Sequence, residues 1–248
     1  MTTLLQPEKQ TELATERRDV LQSLTHLQQL LPLKKRQQAL SPPLRMVHRA
    51  ILRSLAETGH PPRQAEIAAM LGSKRSAIHA LATLGKNDLV ILNAPVTFDE
   101  KTHQLIVPEE VEVLGAYPMT TEKTPHKVEI NGHVVNAMCA VDALALSPMF
   151  GWDTRIESRC HVTGIPIRIR QKGTELTEVN PSAELRVGIR WQSACAGAAH
   201  TLCTEMVFLN DAETANMWRG TDTASIEVLT LPEAVELGAA FFLPLLED

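Results

Sequence analysis

Aromatic residues are scarce in this 248-residue chain: Phe, Trp and Tyr make up 4% of it, and five of the nine rings are Phe. This scarcity argues against a stacking platform for single-stranded nucleic acid, which needs exposed rings. No apolar run reaches the roughly 20 residues of a membrane-spanning helix, and the amino-terminal MTTLLQPEKQ has no apolar stretch of signal-peptide length. The sequence therefore predicts a cytoplasmic protein with no membrane partner.

Common enzyme motifs are absent as well. The sequence has no G-x-G-x-x-G, Walker, H-E-x-x-H or G-x-S-x-G pattern, so no motif supports a nucleotide-binding, zinc-protease or serine-hydrolase function. The four cysteines, Cys139, Cys160, Cys195 and Cys203, include no C-x-x-C pair, which weakens zinc-ribbon and thioredoxin interpretations. In a cytoplasmic protein we expect them to stay reduced unless they serve in chemistry.

Positive charge is concentrated in the first part of the chain. Residues 1–98 carry 13 Lys and Arg against 7 Asp and Glu, whereas the remainder carries 11 against 22. Two halves of opposite sign suggest two modules. Ahead of them, residues 10–31 repeat Leu and Val at spacings of three, four and seven, which predicts an amphipathic helix. We expect residues 1–42 to form an arm outside the main fold, whose apolar face needs a partner on this chain or another.

Residues 43–120 follow a winged helix-turn-helix pattern. Helices are predicted from residue 44 to Gly59, from residue 63 to Gly72, and from Ser73 onward, where Ser73 would cap the third helix. Apolar strands are predicted at 90–92 and 104–107, and they would pair as a hairpin. Lys74 and Arg75 would begin a DNA-recognition helix. Because residues 43–98 carry only seven basic against three acidic residues, we expect a packing module and no nucleic-acid partner.

Residues 121–248 are acidic and rich in strands. The pattern predicts strands at 127–130, 134–135, 155–160, 166–170, 184–191, 204–209 and 225–229, and helices at 139–147, 212–219 and 232–242. Asn131-Gly132 signals a hairpin. The fold class is therefore α+β: a helical arm and winged-helix-like module followed by a mixed, largely antiparallel sheet with flanking helices.

A short pattern, Cys139-x-x-Asp142, stands at the start of the helix predicted for residues 139–147. The helix dipole and free N–H groups would bias Cys139 toward thiolate. Asp142 would lie on the same face of the helix, three residues on. Without further context, a buried cysteine is a small hydrophobe and this aspartate is a dipole partner.

Three separated motifs resemble the organomercurial (alkylmercury) lyases, in the order in which that family has them. They are Cys139-Ala-Val-Asp142-Ala-Leu, then Ser158-Arg-Cys160-His-Val-Thr-Gly164-Ile-Pro166, then His200-Thr-Leu-Cys203 with Val207-Phe208 and Trp218. The resemblance covers about residues 44–245 and includes a degenerate winged helix. The family implies that Cys139 and Cys203 bind mercury, that Asp142 carries a proton and that Cys160 is structural. Met138 replaces an aromatic residue of the family, and Thr204 replaces a second cysteine.

The activity implied is protonolysis, in which R–Hg gives a hydrocarbon and protein-bound Hg(II). Mercury is soft and prefers thiolates, so two cysteines suit it, and a carboxyl group between thiolates would hold a proton. No cofactor is required; exogenous small thiols are needed for turnover, and a mercuric reductase is a candidate acceptor of Hg(II).

Three alternatives stay open. The first is a winged-helix transcriptional regulator that senses mercury or another thiophilic ligand through its cysteines. The second is a family member that has lost activity. The third is a zinc site that joins His161 to Cys160 or His200 to Cys203, although these spacings match no standard zinc pattern. Cys160 and Cys195 are interpreted as small hydrophobes.

Overall fold

A computed structural model describes residues 20–94, 110–193 and 197–247, together with the backbone of two short strands at Thr97–Asp99 and Gln104–Ile106. The α-helices in this part of the chain are α1 (20–30), α2 (Leu33–Gln38), α3 (Pro42–Thr58), α4 (Gln64–Leu71), α5 (Lys74–Lys86), α6 (Ala140–Phe150), α7 (Ala212–Arg219) and α8 (Leu231–Phe242). Short 3-10 helices cover Ala198–His200, Leu202–Glu205 and Leu243–Leu246.

The described strands are β1 (Ile91–Leu92), β2 (Thr97–Asp99), β3 (Gln104–Ile106), β4 (Val113–Ala116), β5 (Met119–Thr120), β6 (His126–Ile130), β7 (His133–Ala137), β8 (Asp153–Arg159), β9 (Pro166–Lys172), β10 (Glu175–Asn180), β11 (Arg186–Arg190), β12 (Met206–Leu209) and β13 (Ile226–Thr230). Eight of them form one sheet in the order β1-β4-β5-β7-β6-β8-β9-β10, and β12-β11-β13 form a second sheet. Neighbouring strands are antiparallel throughout both sheets. The α+β class with a largely antiparallel sheet is confirmed.

The amino-terminal helices end where the sequence predicts. Gly59 and Gly72 terminate α3 and α4 in the left-handed conformation, with φ of 78° and 82°. The Ser73 hydroxyl accepts a hydrogen bond from the Ser76 amide at 3.0 Å and so caps α5. These local signals hold because a cap acts within one helical turn.

The predicted hairpin between residues 90–92 and 104–107 is wrong. β1 pairs with β4, while β3 pairs with β2. The Asn93 amide donates to the Glu112 carbonyl, and the Asn93 side chain accepts from the Glu112 amide, both at 3.0 Å. This pair of hydrogen bonds directs β1 into the large sheet, so the amino-terminal helices are continuous with the rest of the fold.

The described part of the amino-terminal arm packs on the main body rather than outside it. Val20, Leu27 and Leu31 are buried in the same hydrophobic cluster as the sheets. In α2, the Gln37 side chain donates to the Leu245 carbonyl at 2.8 Å and contacts His48 in α3. The apolar face of α1 therefore packs on the rest of this chain. Residues 1–19 lie outside the described residues.

Helix α6 is the centre of the molecule. Its sequence, AVDALALSPMF, is apolar on nearly every face, and nine of its residues are buried. Helix α8 packs closely on it, because a Cβ on Gly238 would meet the Val141 carbonyl at 3.0 Å. Such a helix normally excludes ionisable groups. Asp142 is the ionisable side chain of α6, and the burial of an acidic group in such an apolar helix is unusual.

Alternation of buried and exposed residues in β8 and β9 confirms their prediction, and Asn131 and Gly132 form the expected turn with φ of 49° and 77°. The sequence prediction missed β2, β4, β5 and β10. Strand β10 lies at the edge of the sheet and has no buried residue, so it lacks the alternation that identifies a strand. The described helices are too short or too polar to cross a membrane.

Candidate functional site

The amino terminus of α6 positions the first thiol. Cys139 is the N-cap, and its Sγ accepts a hydrogen bond from the Asp142 amide at 3.3 Å. The Cys139 thiol itself donates to Sδ of Met206 at 3.6 Å. The local pattern Cys-x-x-Asp thus produces an N-cap in which the sulfur takes the place that a hydroxyl usually occupies.

Cys203 joins this thiol from a distant part of the chain. It lies in the 3-10 helix Leu202–Glu205, directly before β12, which packs against α6. One ligand atom from each of Cys139, Asp142 and Cys203 lies within 4.8 Å of the others. Their side chains are 0%, 2% and 4% exposed. Among the described residues, no other group of three or more His, Cys, Asp or Glu side chains comes this close.

The expected thiolate character of Cys139 is not found in this closed site. Burial raises the pKa of Cys139 well above its ordinary value, and the hydrogen bond shared with Cys203 raises it further. The Asp142 amide lowers the pKa but cannot compensate. The helix terminus is therefore outweighed by loss of water, and Cys139 is a thiol until a ligand replaces its proton.

Asp142 keeps a proton at neutral pH. Burial raises the pKa of its carboxyl group from 3.8 to about 8, against a smaller opposite effect of its contacts with Cys139. The expectation that this carboxyl group holds a proton is supported, but the dominant cause is burial rather than like charge. Its Oδ2 is buried and has no hydrogen-bond partner among the described residues. An acid group with a free oxygen faces the two thiols.

Cys203 is also held as a thiol. The hydrogen bond with Cys139 lowers its pKa, whereas burial and the neighbouring carboxyl groups of Asp142 and Asp88 raise it, and the net shift is upward. The site thus stores three protons on three acidic groups. An incoming soft ion can displace the thiol protons, since it stabilises both thiolates.

The other predicted residues lie elsewhere. Cys160 is buried in the turn between β8 and β9, where Gly164 donates to its carbonyl at 2.9 Å. Burial raises the pKa of Cys160, but hydrogen bonds from Thr163 and nearby backbone amides lower it more. His161 and His200 are exposed. Among the described residues, neither histidine belongs to a group of three or more side chains that could hold a zinc ion. Cys195 lies outside the described residues.

Met138 and Thr204 directly adjoin Cys139 and Cys203 in the sequence. Met138 is 7% exposed, and its Cε would lie 3.1 Å from a Cβ on Gly115 in β4. The Thr204 hydroxyl donates to the Thr201 carbonyl at 2.6 Å. Lys74 and Arg75 are exposed at the start of α5.

Three polar side chains, Arg36, Asp88 and Tyr117, form a cluster that contacts the segment before Cys203 and that the sequence did not predict. We call this cluster the bracket. The Tyr117 hydroxyl donates to Asp88 at 2.9 Å and accepts from the Ala199 amide at 3.0 Å. Asp88 also forms an ion pair with Arg36 at 3.2 Å. The bracket holds the turn Ala198–His200, which directly precedes the segment carrying Cys203. The only available signal is that Tyr117 is the single tyrosine of the chain.

Comparison with known proteins identifies the family. The sequence profile of MerB, the alkylmercury lyase, matches residues 119–243. This segment is half of the chain and contains Cys139, Asp142 and Cys203. The chain belongs to the alkylmercury lyase family.

Curated alkylmercury lyases match about half of the chain. The Pseudomonas putida protein is 31% identical over 140 residues, which are 56% of this chain and 65% of the relative. The Staphylococcus epidermidis protein is 31% identical over 130 residues, 52% of this chain and 59% of the relative. This chain therefore spans about three fifths of the length of the alkylmercury lyases it matches.

The fold is shared with a solved structure. The crystal structure of the mercury-bound form of MerB2 superposes with a TM-score of 0.67, covering 86% of this chain and 98% of that one. At 21% identity, this likeness shows a common fold. Together with the family profile, it agrees with the α+β class predicted from the sequence.

Proposed function

We propose that this protein cleaves the carbon–mercury bond of organomercurials by protonolysis and produces a hydrocarbon and Hg(II). One observation carries this proposal: two thiols and a protonated carboxyl group lie within 4.8 Å of one another in a buried site. Soft thiolates are the ligands that mercury prefers, and a carboxyl group with a pKa of about 8 is matched to proton donation near neutral pH.

The first stage is transfer of the organomercurial from a small thiol to the protein. In R–Hg–SR′, the Cys139 sulfur bonds to mercury, SR′ leaves, and the Cys139 proton leaves with it as R′SH. Cys203 then bonds to the same mercury, and its proton passes to the Asp142 carboxyl group as that group gives its own proton to carbon in the second stage. Two thiolates push electron density onto the metal and onto the carbon bonded to it, so that this carbon becomes basic.

The second stage is proton transfer to carbon. Asp142 donates its proton to R, the carbon–mercury bond breaks, and RH leaves; the proton released by Cys203 restores the carboxyl group. The sum is R–Hg–SR′ plus two protein thiols giving RH, R′SH and Hg(II) bound to two thiolates. Because the three groups are at most 4% exposed, water is excluded while the carbon is basic.

Turnover requires removal of Hg(II) from the thiolate pair. Small exogenous thiols are proposed to exchange onto the metal, and a mercuric reductase is a candidate acceptor of the ion. The proposed site needs no organic cofactor. We also propose that the protein works in the cytoplasm, where thiols are abundant and cysteines stay reduced.

Analysis of the headspace for hydrocarbon released from phenylmercury or methylmercury, with excess small thiol, tests this function. Benzene or methane should appear in proportion to enzyme and time, with Hg(II) left in solution. No hydrocarbon above the thiol-only control from either compound would refute the proposed activity.

The pH dependence of cleavage should report the protonation of Asp142. We expect the rate from enzyme already loaded with organomercurial to be constant below about pH 8 and to fall about tenfold per pH unit above it, because the donor loses its proton. Loading before a rapid pH change keeps thiol ionisation out of the measurement. A rate that stays constant up to pH 10 would exclude Asp142 as the proton donor.

The bracket formed by Arg36, Asp88 and Tyr117 is proposed to position Cys203. Tyr117→Phe removes the hydroxyl that accepts from the Ala199 amide, so kcat should fall about tenfold while KM changes little, because Cys139 still captures the substrate. Asp88→Asn, which weakens the ion pair with Arg36 and keeps an acceptor for Tyr117, should have a smaller effect. A loss of thermal stability in Tyr117→Phe with unchanged kcat would show a purely structural role.

We also propose that the chain divides into three segments, 1–42, 43–120 and 121–248. Helices α3, α4 and α5 would form the winged-helix-like part of the second segment. These helices precede the paired strands β2 and β3, the order expected of that module. We assign them a packing role, because β1 joins them to the large sheet.

A further inference from the structure

A third sulfur lies beside the thiol pair. The Cys139 thiol donates to Sδ of Met206 at 3.6 Å, and Met206 is 3% exposed. Met206 begins β12, three residues after Cys203, so one short stretch of chain supplies both a thiol and a thioether. The reaction described above makes no use of this methionine.

The distance between the two sulfurs suits two ligands of one ion. Two metal–sulfur bonds of about 2.3 Å, the length in zinc–thiolate sites, separate their sulfurs by about 3.3 to 3.8 Å when they meet between a right angle and the tetrahedral angle. The 3.6 Å between Cys139 Sγ and Met206 Sδ falls in this range. An ion bonded to Cys139 is therefore within bonding reach of Met206.

The chemistry of a thioether fits the same ion. Thioethers are soft donors like thiolates, and they carry no charge. The lone pair that accepts the Cys139 proton becomes free when that proton leaves and mercury takes its place. A bond from Met206 to mercury therefore releases no proton and adds no charge, so the overall balance of the reaction does not change.

We propose that Met206 is a third sulfur donor to mercury, beside Cys139 and Cys203, an inference that rests on the proposed function. In the organomercurial adduct, the thioether adds electron density to the metal and to the carbon bonded to it, which speeds proton transfer. In the product complex, it retains Hg(II) against competing small thiols.

X-ray absorption at the mercury edge tests the donor directly. The protein is produced with selenomethionine and loaded with one equivalent of mercuric chloride. We expect two short Hg–S distances from the cysteines and one longer Hg–Se distance. The Hg–Se signal should disappear in Met206→Leu and persist in Met149→Leu, a matched change at a buried methionine ten residues along the chain from Cys139.

Kinetics provide a second readout. Met206→Leu should slow hydrocarbon release about tenfold and lower the concentration of small thiol that strips half of the Hg(II), whereas Met149→Leu should leave both unchanged. Leucine conserves volume, so folding should be retained, and the selenium signal of the unsubstituted protein tests the proposal without any variant.

The outcomes separate the two proposals. Two Hg–S distances with no Hg–Se distance would overturn the role of Met206 and leave the thiol pair intact. A mercury spectrum that is the same in Cys139→Ala as in the unsubstituted protein would overturn the proposed function itself.

Discussion

Asp142→Asn should bind an organomercurial and stop before the carbon–mercury bond breaks. The substitution keeps the size and hydrogen-bonding capacity of the side chain, but an amide cannot donate a proton and recover it at neutral pH. Its oxygen is a poor mercury ligand, so capture by Cys139 and Cys203 should persist. We expect hydrocarbon release to fall about 100- to 10,000-fold. Release is measured in the headspace and binding by mercury retained after gel filtration.

Solvent deuterium gives an independent readout of the same step. In D₂O, the unsubstituted protein should release a hydrocarbon with one solvent-derived deuterium, because thiol and carboxyl protons exchange with water before transfer. Cleavage by Asp142→Asn at the unsubstituted rate would show that the proton comes from another group.

Stability serves as the control for this variant. The folded-state pKa of Asp142 is about 8, above the ordinary 3.8, so this group stabilises the fold fully below pH 4. That contribution is lost as pH rises from about 4 through about 8, because over this range the unfolded chain has released the proton that the folded protein still holds. Asp142→Asn has no such charge, and its free energy of unfolding should fall less between pH 4 and 9 than that of the unsubstituted protein.

Removal of either thiol of the pair should abolish turnover. With Cys139→Ala or Cys203→Ala, mercury has one thiolate, and too little electron density reaches the carbon for protonation. We expect hydrocarbon release to fall about a thousandfold or more. Each variant should still bind organomercurial through the remaining thiol, which a count of bound mercury per chain can verify.

The remaining cysteines provide matched controls. Cys195→Ala should leave turnover nearly intact. Cys160→Ala should act through stability, since Cys160 is buried in the turn between β8 and β9, and its activity should recover at lower temperature. Turnover of Cys203→Ala comparable to that of the unsubstituted protein would contradict the two-thiolate mechanism.

Local sequence patterns determined much of the architecture around the site. Gly59, Gly72 and Ser73 mark helix ends, and Asn131-Gly132 marks a hairpin, because each signal acts within a few residues of backbone. The same reasoning placed Cys139 at a helix start with Asp142 one turn on. The partner of β1 could not be found this way, since strand pairing depends on residues some twenty positions away.

The link between Cys139 and Cys203 came from resemblance to a family rather than from spacing. The two cysteines are 64 positions apart in the sequence, the segment between them contains strands from both sheets, and no local rule predicts that its ends meet. The bracket of Arg36, Asp88 and Tyr117 unites three distant segments. The thioether of Met206 reaches Cys139 across the contact between β12 and α6.

The sequence by itself determined which groups are available: two cysteines, a carboxyl group at a helix start and the caps that place it there. Only the tertiary structure decided their protonation. A helix terminus favours a thiolate and an exposed aspartate is ionised, yet burial raises the pKa of Cys139 and holds Asp142 near 8. Burial depends on how α6 packs against both sheets and α8. Loss of water in that environment depends on residues distant in the sequence, and it keeps a proton on a carboxyl group that would be ionised in water.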